Sequence, residues 1–236
     1  MEMNSRSLKS TARFAGLVYF IWIITGLYSI YYVPSRIDTR GDAATAAQSI
    51  LSNEFLFRAT IITDLLSSAL WVFLVLVFYR LFRSVDQRQA RHLVALVTVQ
   101  IPVVFAMGAF SMTSLMILKG GLLKAFDLGQ RQDLALLFLR VNDFGVLGLE
   151  LFWGLWLLPL AILVYKSLFL PRFLGIWLMI DGFALVVLCF ASLLFPQSKD
   201  IVYKIAFPAM FGEVAFMLWL LIKGAKLQVV NSTTGE

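Results

Sequence analysis

Six stretches of this 236-residue chain run for eighteen residues or more with at most two charges apiece, and that recurrence constrains the fold more than any other feature. Crossing ~30 Å of hydrocarbon takes about 20 residues of α-helix. The first run, Phe14 to Val33, and the third, Leu93 to Leu118, carry no charge. The others carry isolated ones: residues 55–79 (Arg58, Asp64), 141–165 (Asp143, Glu150), 173–195 (Asp181) and 205–222 (Glu213). Lipid offers the backbone no hydrogen-bond partner, so such runs are expected to be helices. The expected fold is all-α: a polytopic membrane helical bundle with about six transmembrane helices in a single transmembrane domain over residues 1–236. Pro34, Pro171 and Pro196 punctuate helix ends, whereas Pro102, Pro159 and Pro208 lie inside spans and are expected to kink them.

Composition excludes a water-soluble alternative. Hydrophobic residues make up 60% of the chain and charged residues 14%, against roughly 45 to 50% and 25% in soluble domains. The single cysteine, Cys189, excludes an internal disulfide. The net charge of +6 is distributed as a membrane anchor pattern, so nucleic acid is not an expected partner and the lipid bilayer is.

Lysine and arginine near the span ends set the orientation. Eleven (Arg6, Lys9, Arg13, Arg80, Arg83, Arg88, Arg91, Lys166, Arg172, Lys223, Lys226) fall on the side of the termini, and seven (Arg36, Arg40, Lys119, Lys124, Arg131, Lys199, Lys204) on the other. Both termini are therefore expected to be cytoplasmic. The first apolar run is too long for a signal peptide and lacks a small-residue cleavage site, so it reads as a retained helix. A cytoplasmic tail would keep the Asn231-Ser232-Thr233 triplet from glycosylation. In the outer loops, Asp42 is placed to cap a short helix through Ala47 and Leu51, and Leu122, Leu123 and Phe126 sit among charges. Either segment could lie on the outer interface or be a plain connector.

A charge inside a membrane is costly and usually faces the bundle interior. Counting ~1.5 Å per residue, Asp64, Glu150, Glu213 and Asp181 all lie roughly 12 Å deep. Arg140, Asp143 and Glu150 share one helical face, expected to point inward, and Arg58 is spaced to pair with Glu54 or to snorkel. Five acids (Asp64, Asp143, Glu150, Asp181, Glu213) against two arginines (Arg58, Arg140) leave three negative charges uncompensated if all are ionised. Some carboxyls should then be protonated or hold a cation. An interior acidic pocket for a proton, cation or small polar ligand is one reading. Polar residues that only pair across helices and fix packing are the other. Asp64, Glu150 and Glu213 each precede a tryptophan, Trp71, Trp156 and Trp219, by six or seven positions, which would suit three helical hairpins each supplying an acid and a deeper indole. Packing is the alternative role for these indoles.

Other chemistry has little support. His92 is the only histidine and builds no usual metal site alone. Phosphate-cradling loops with lysine and serine-nucleophile signatures do not occur. No cofactor or metal is expected, and an intramembrane carboxylate enzyme rests only on buried acids.

The segments Phe152-Trp153-Gly154-Leu155-Trp156-Leu157-Leu158-Pro159, Tyr165-Lys166-Ser167 and Leu170-Pro171-Arg172-Phe173-Leu174-Gly175 resemble the signature of a bacterial membrane family filed as domain of unknown function 4386. The opening Thr11-Ala12-Arg13-Phe14-Ala15-Gly16 and the closing Gly212-Glu213 and Leu218-Trp219-Leu220-Leu221-Ile222-Lys223-Gly224 are similar to that family's ends. Leu168-Phe169 departs from it, in a loop. The resemblance implies about six spans, a bacterial inner membrane and no named activity, with Arg140, Asp143, Arg172 and Glu213 in the family pattern.

The chain thus reads as a multi-pass membrane protein that binds or moves a small ligand, proton or cation. Its candidate site residues are Asp64, Arg140, Asp143, Glu150, Asp181, Glu213 and Arg58, with Trp71, Trp156 and Trp219 as aromatic lining. The alternative is a structural or accessory membrane subunit without ligand.

Overall fold

The structure, a computed structural model, describes residues 5–121 and 123–226. Leu122 and the Asn231-Ser232-Thr233 triplet lie outside these residues. The regular elements described are all helical: α1 (Ser5–Leu27), α2 (Ala43–Ser52), α3 (Glu54–Phe82), α4 (Gln87–Thr98), α5 (Ile101–Leu118), α6 (Leu128–Lys166), α7 (Arg172–Leu194) and α8 (Lys199–Ile222). Helix α1 continues through one π-helical turn, Tyr28–Tyr32, and Pro34 follows directly on its last bond, from the Val33 N–H to the Tyr28 carbonyl at 3.0 Å. Asp42 caps α2 as its spacing predicts, accepting the Thr45 N–H at 2.7 Å.

Among the described residues six segments are long and apolar enough to cross a membrane: Ser7–Tyr32, Glu54–Phe82, Gln87–Leu118, Leu128–Lys166, Arg172–Leu194 and Pro196–Ile222. By helix length and hydropathy the chain is a multi-pass membrane protein. These bounds overrun the weakly charged runs because a helix does not stop where the hydrocarbon does. Helix α6, at 39 residues, is about 58 Å long, so it carries Arg131 and Asp133 well beyond a ~30 Å core.

The prolines divide into two kinds. Pro102 sits in the first turn of α5, where its missing N–H is no loss, and the third span is two helices broken at Val99 and Gln100. Pro159 and Pro208 lie inside α6 and α8, which continue through them.

The described chain packs as two compact units. Of the described residues, the first draws on 5–20, 73–96 and 153–226, the second on 21–72, 97–121 and 123–152. In the first unit α7 shows how the sequence sorts its faces. Phe173, Ile176, Ile180, Phe183, Val187, Phe190 and Leu194 recur every three or four residues and are all at least half exposed, an apolar stripe suited to lipid. The opposite face is buried and carries Leu174, Leu178, Asp181, Gly182 and Cys189. Gly182 meets Gly154 of α6 there, and small residues let the two backbones approach. The second unit has its own core of Val33, Ile37, Ile50, Phe57, Ile61, Leu115 and Leu139.

Candidate functional site

In the first unit three polar side chains from three helices converge. Tyr19 of α1 is fully buried, and its ring packs against Phe78 at 5.7 Å, Trp156 at 6.1 Å and Phe216 at 6.2 Å. That aromatic surround aims the phenol, whose hydroxyl donates to Oε1 of Glu213 on α8. Glu213 is half-buried. Its backbone N–H points to Oδ2 of Asp181 on α7 at 3.3 Å. Asp181 is fully buried, and its Oδ1 has no hydrogen-bond partner among the described residues. No lysine or arginine forms an ion pair with Asp181 or Glu213 among the described residues. The arrangement can hold a proton or a small cation: two acids, one phenol, and no internal positive charge.

The second unit holds the other acids and both candidate arginines. Asp64 on α3 is half-buried beside Ser29 of the π-helical turn. Glu150 on α6 is half-buried, with Oε2 shielded. Arg58 pairs with Glu54 at 2.8 Å, as the i, i+4 spacing predicts, and Lys119 joins from α5 at 2.9 Å, making a three-residue ion cluster. Arg140 and Asp143 pair at 3.3 Å, and Asp143 is 60% exposed. An acid already paired to an arginine one turn away tolerates exposure, and spacing does not fix a face's direction. Asn142, between them in sequence, turns to α5 instead, donating to the Met107 carbonyl at 3.0 Å and to Ser111 at 2.8 Å.

Of the seven ionisable candidates, then, Asp181 and Glu213 are brought together, and Arg140 and Asp143 pair at a surface. Of the indoles, Trp156 joins the wall around Tyr19. Trp71 packs on Trp22 at 5.0 Å in the second unit, and Trp219 lies edge-on to Phe173 at 6.2 Å. Sequence reasoning missed Tyr19. Nothing distinguishes it from Tyr28, Tyr31 and Tyr32 in the same uncharged run except its partner, 194 positions away. Among the described residues no three His, Cys, Asp or Glu side chains group as a metal site requires.

In the α3–α4 loop, outside the membrane-crossing segments, Asp86 accepts from Lys166 at the end of α6 at 2.7 Å. That hydrogen bond, helped by the Gln89 N–H, holds the Asp86 carboxyl below the usual carboxylate range. The cap bond from Thr45 does the same to Asp42.

A model of the family described as "Domain of unknown function (DUF4386)" matches residues 14–224. An uncharacterized protein of Archaeoglobus fulgidus is 35% identical over 96 residues, which make up 41% of this chain and 54% of that protein. The match thus spans about half the length of that curated relative. No solved structure matches the chain.

Proposed function

The chain belongs to the DUF4386 family, and on that premise we propose that it takes up a proton or small cation within the membrane at Asp181 and Glu213, to move or to sense it. The observation that carries this reading is Asp181, fully enclosed with Oδ1 unpartnered among the described residues and no basic side chain in an ion pair with it. A bare carboxylate enclosed in a poorly solvated interior is strongly disfavoured, and a proton or bound cation relieves it. Tyr19 then serves as the fixed donor that orients Glu213. In the second unit, taken by itself, Asp64 and Glu150 are half-buried acids, while Arg58, Arg140 and Asp143, at more exposed positions, would meet a ligand arriving from water. In this reading both termini are cytoplasmic, supported by the eleven-to-seven distribution of lysine and arginine, and the membrane is the bacterial inner membrane that the family resemblance implies.

Infrared difference spectroscopy of the reconstituted protein across a pH or cation step tests the reading, paired with ion flux into dye-loaded liposomes. A carboxyl band that disappears in Asp181→Asn and shifts in Glu213→Gln is expected, with flux or uptake lost and the fold intact. No band sensitive to either substitution, with no flux in the native chain, overturns it.

The structural reading draws support from the second unit, where the Glu54, Arg58 and Lys119 cluster and the bonds of Asn142 are satisfied as scaffold polar groups are. It expects the same two substitutions to lower stability in detergent without touching any bound species.

A further inference from the structure

At the far end of α8 the first unit builds a second polar feature, independent of the carboxyl pair. Gly224 adopts φ +67°, the left-handed conformation glycine favours, and closes the helix with its N–H on the Trp219 carbonyl at 3.0 Å. A side chain there would also crowd the Lys9 carbonyl, 3.1 Å from an added Cβ. The chain then buries Ala225, and the Lys226 N–H donates to the Phe169 carbonyl at 2.9 Å. Arg13 Nη2 caps the Ile222 carbonyl at 3.0 Å.

This turn holds Lys223 and Lys226 beside Lys9 of α1. With Trp219 and Ala225 the three lysines line an open recess of about 570 Å³. None of the three pairs with a carboxylate among the described residues. The Trp219 indole N–H is shielded and has no hydrogen-bond partner among the described residues. Helix carbonyls would repel an anion at this end, but Trp219 O and Ile222 O are already engaged. Three unneutralised ammonium groups at the end of a membrane-crossing helix, beside a tryptophan, are the features that gather a phosphate at the membrane–water boundary.

We propose that this recess binds the phosphate of an anionic phospholipid headgroup. Native mass spectrometry of the full chain in uncharged detergent, offered equal phosphatidylglycerol and phosphatidylcholine, tests it. The native chain should retain phosphatidylglycerol selectively, each of Lys9→Gln, Lys223→Gln and Lys226→Gln should weaken that retention about fivefold, and the triple variant should lose the selectivity. Trp219→Phe, which keeps an aromatic ring beside the lysines, should leave it nearly unchanged. Arg88→Gln with Arg91→Gln, basic residues elsewhere on α4, should leave it unchanged. Millimolar inorganic phosphate separates the sources: displacement of the lipid means that free phosphate also enters, and no displacement means that the lipid-borne group is selected. Equal retention of both lipids by the native chain, selectivity surviving in the triple variant, or equal loss in the α4 control would each overturn the proposal. Should the triple variant fail to fold, the three single variants decide the matter on the same terms.

Discussion

Gly154 of α6 and Gly182 of α7 face each other so closely that an added methyl on Gly154 would lie 2.6 Å from the Gly182 carbonyl oxygen, and one on Gly182 would lie 2.9 Å from that of Gly154. Asp181 is the residue next to this contact, so the approach of the two backbones fixes where its carboxyl is enclosed. Gly182→Ala and Gly154→Ala should each destabilise the protein by about 1–3 kcal/mol, the usual cost of overpacking, in unfolding titrations with SDS in mixed micelles. Gly148→Ala, where an added methyl meets nothing within 4 Å, should be neutral or slightly stabilising. Equal effects at the three positions would refute the contact.

Tyr19 separates packing from hydrogen bonding. Tyr19→Phe keeps the ring against Phe78, Trp156 and Phe216 and removes only the donor to Glu213. It should cost about 1–2 kcal/mol. Tyr19→Ala also removes the ring and should cost about 3–5 kcal/mol. The same SDS titration reads both, and a Phe variant as damaging as the Ala variant would mean that the hydroxyl outweighs the ring.

The Asp86 and Lys166 pair gives a pH dependence of known sign. The folded-state pKa of Asp86 is depressed, so its contribution is fully present above the ordinary carboxylate value of about 3.9 and is lost as pH falls through the depressed value. Protection of the α3–α4 loop amides, relative to their intrinsic exchange rate at each pH, should therefore hold from neutral pH down to about 4 and fall below it. Asp86→Asn should give fast exchange at every pH. Loop protection in the native chain that is already lost between neutrality and about pH 5 would contradict the assignment.

Glu54 accepts from both Arg58 and Lys119. Glu54→Gln should loosen both contacts at once, speeding exchange at the start of α3 and the end of α5. Because all three side chains are partly exposed, the difference from the native chain should shrink as salt is raised. A salt-independent difference would point to packing instead.

The spans were legible because a bilayer imposes one rule on every segment that crosses it, and the Asp42 cap because capping is local. The inward face of α7 could also be read from Asp181, a lone charge in an apolar run. What sequence could not reach was pairing at a distance. Lys119 and Glu54 are 65 positions apart, and no local pattern names Tyr19 as the partner of Glu213. Arg140 and Asp143 show a second limit: their spacing correctly puts them together, yet rotation about the helix axis is set by neighbours, and the 60% exposure of Asp143 is not written in that spacing. Apolar runs mark spans and leave helix ends open: polar residues such as Arg131 and Asp133 belong to α6 beyond the hydrocarbon.

Cys189 sits on the buried face of α7, eight positions beyond Asp181 and 2% exposed, and it is the chain's single thiol. A water-borne alkylating reagent can reach it only while that face is parted from its neighbours. The rate at which the native protein consumes such a reagent is therefore a clock for excursions of α7, running without any engineered label, and it ticks beside the acid whose enclosure matters most.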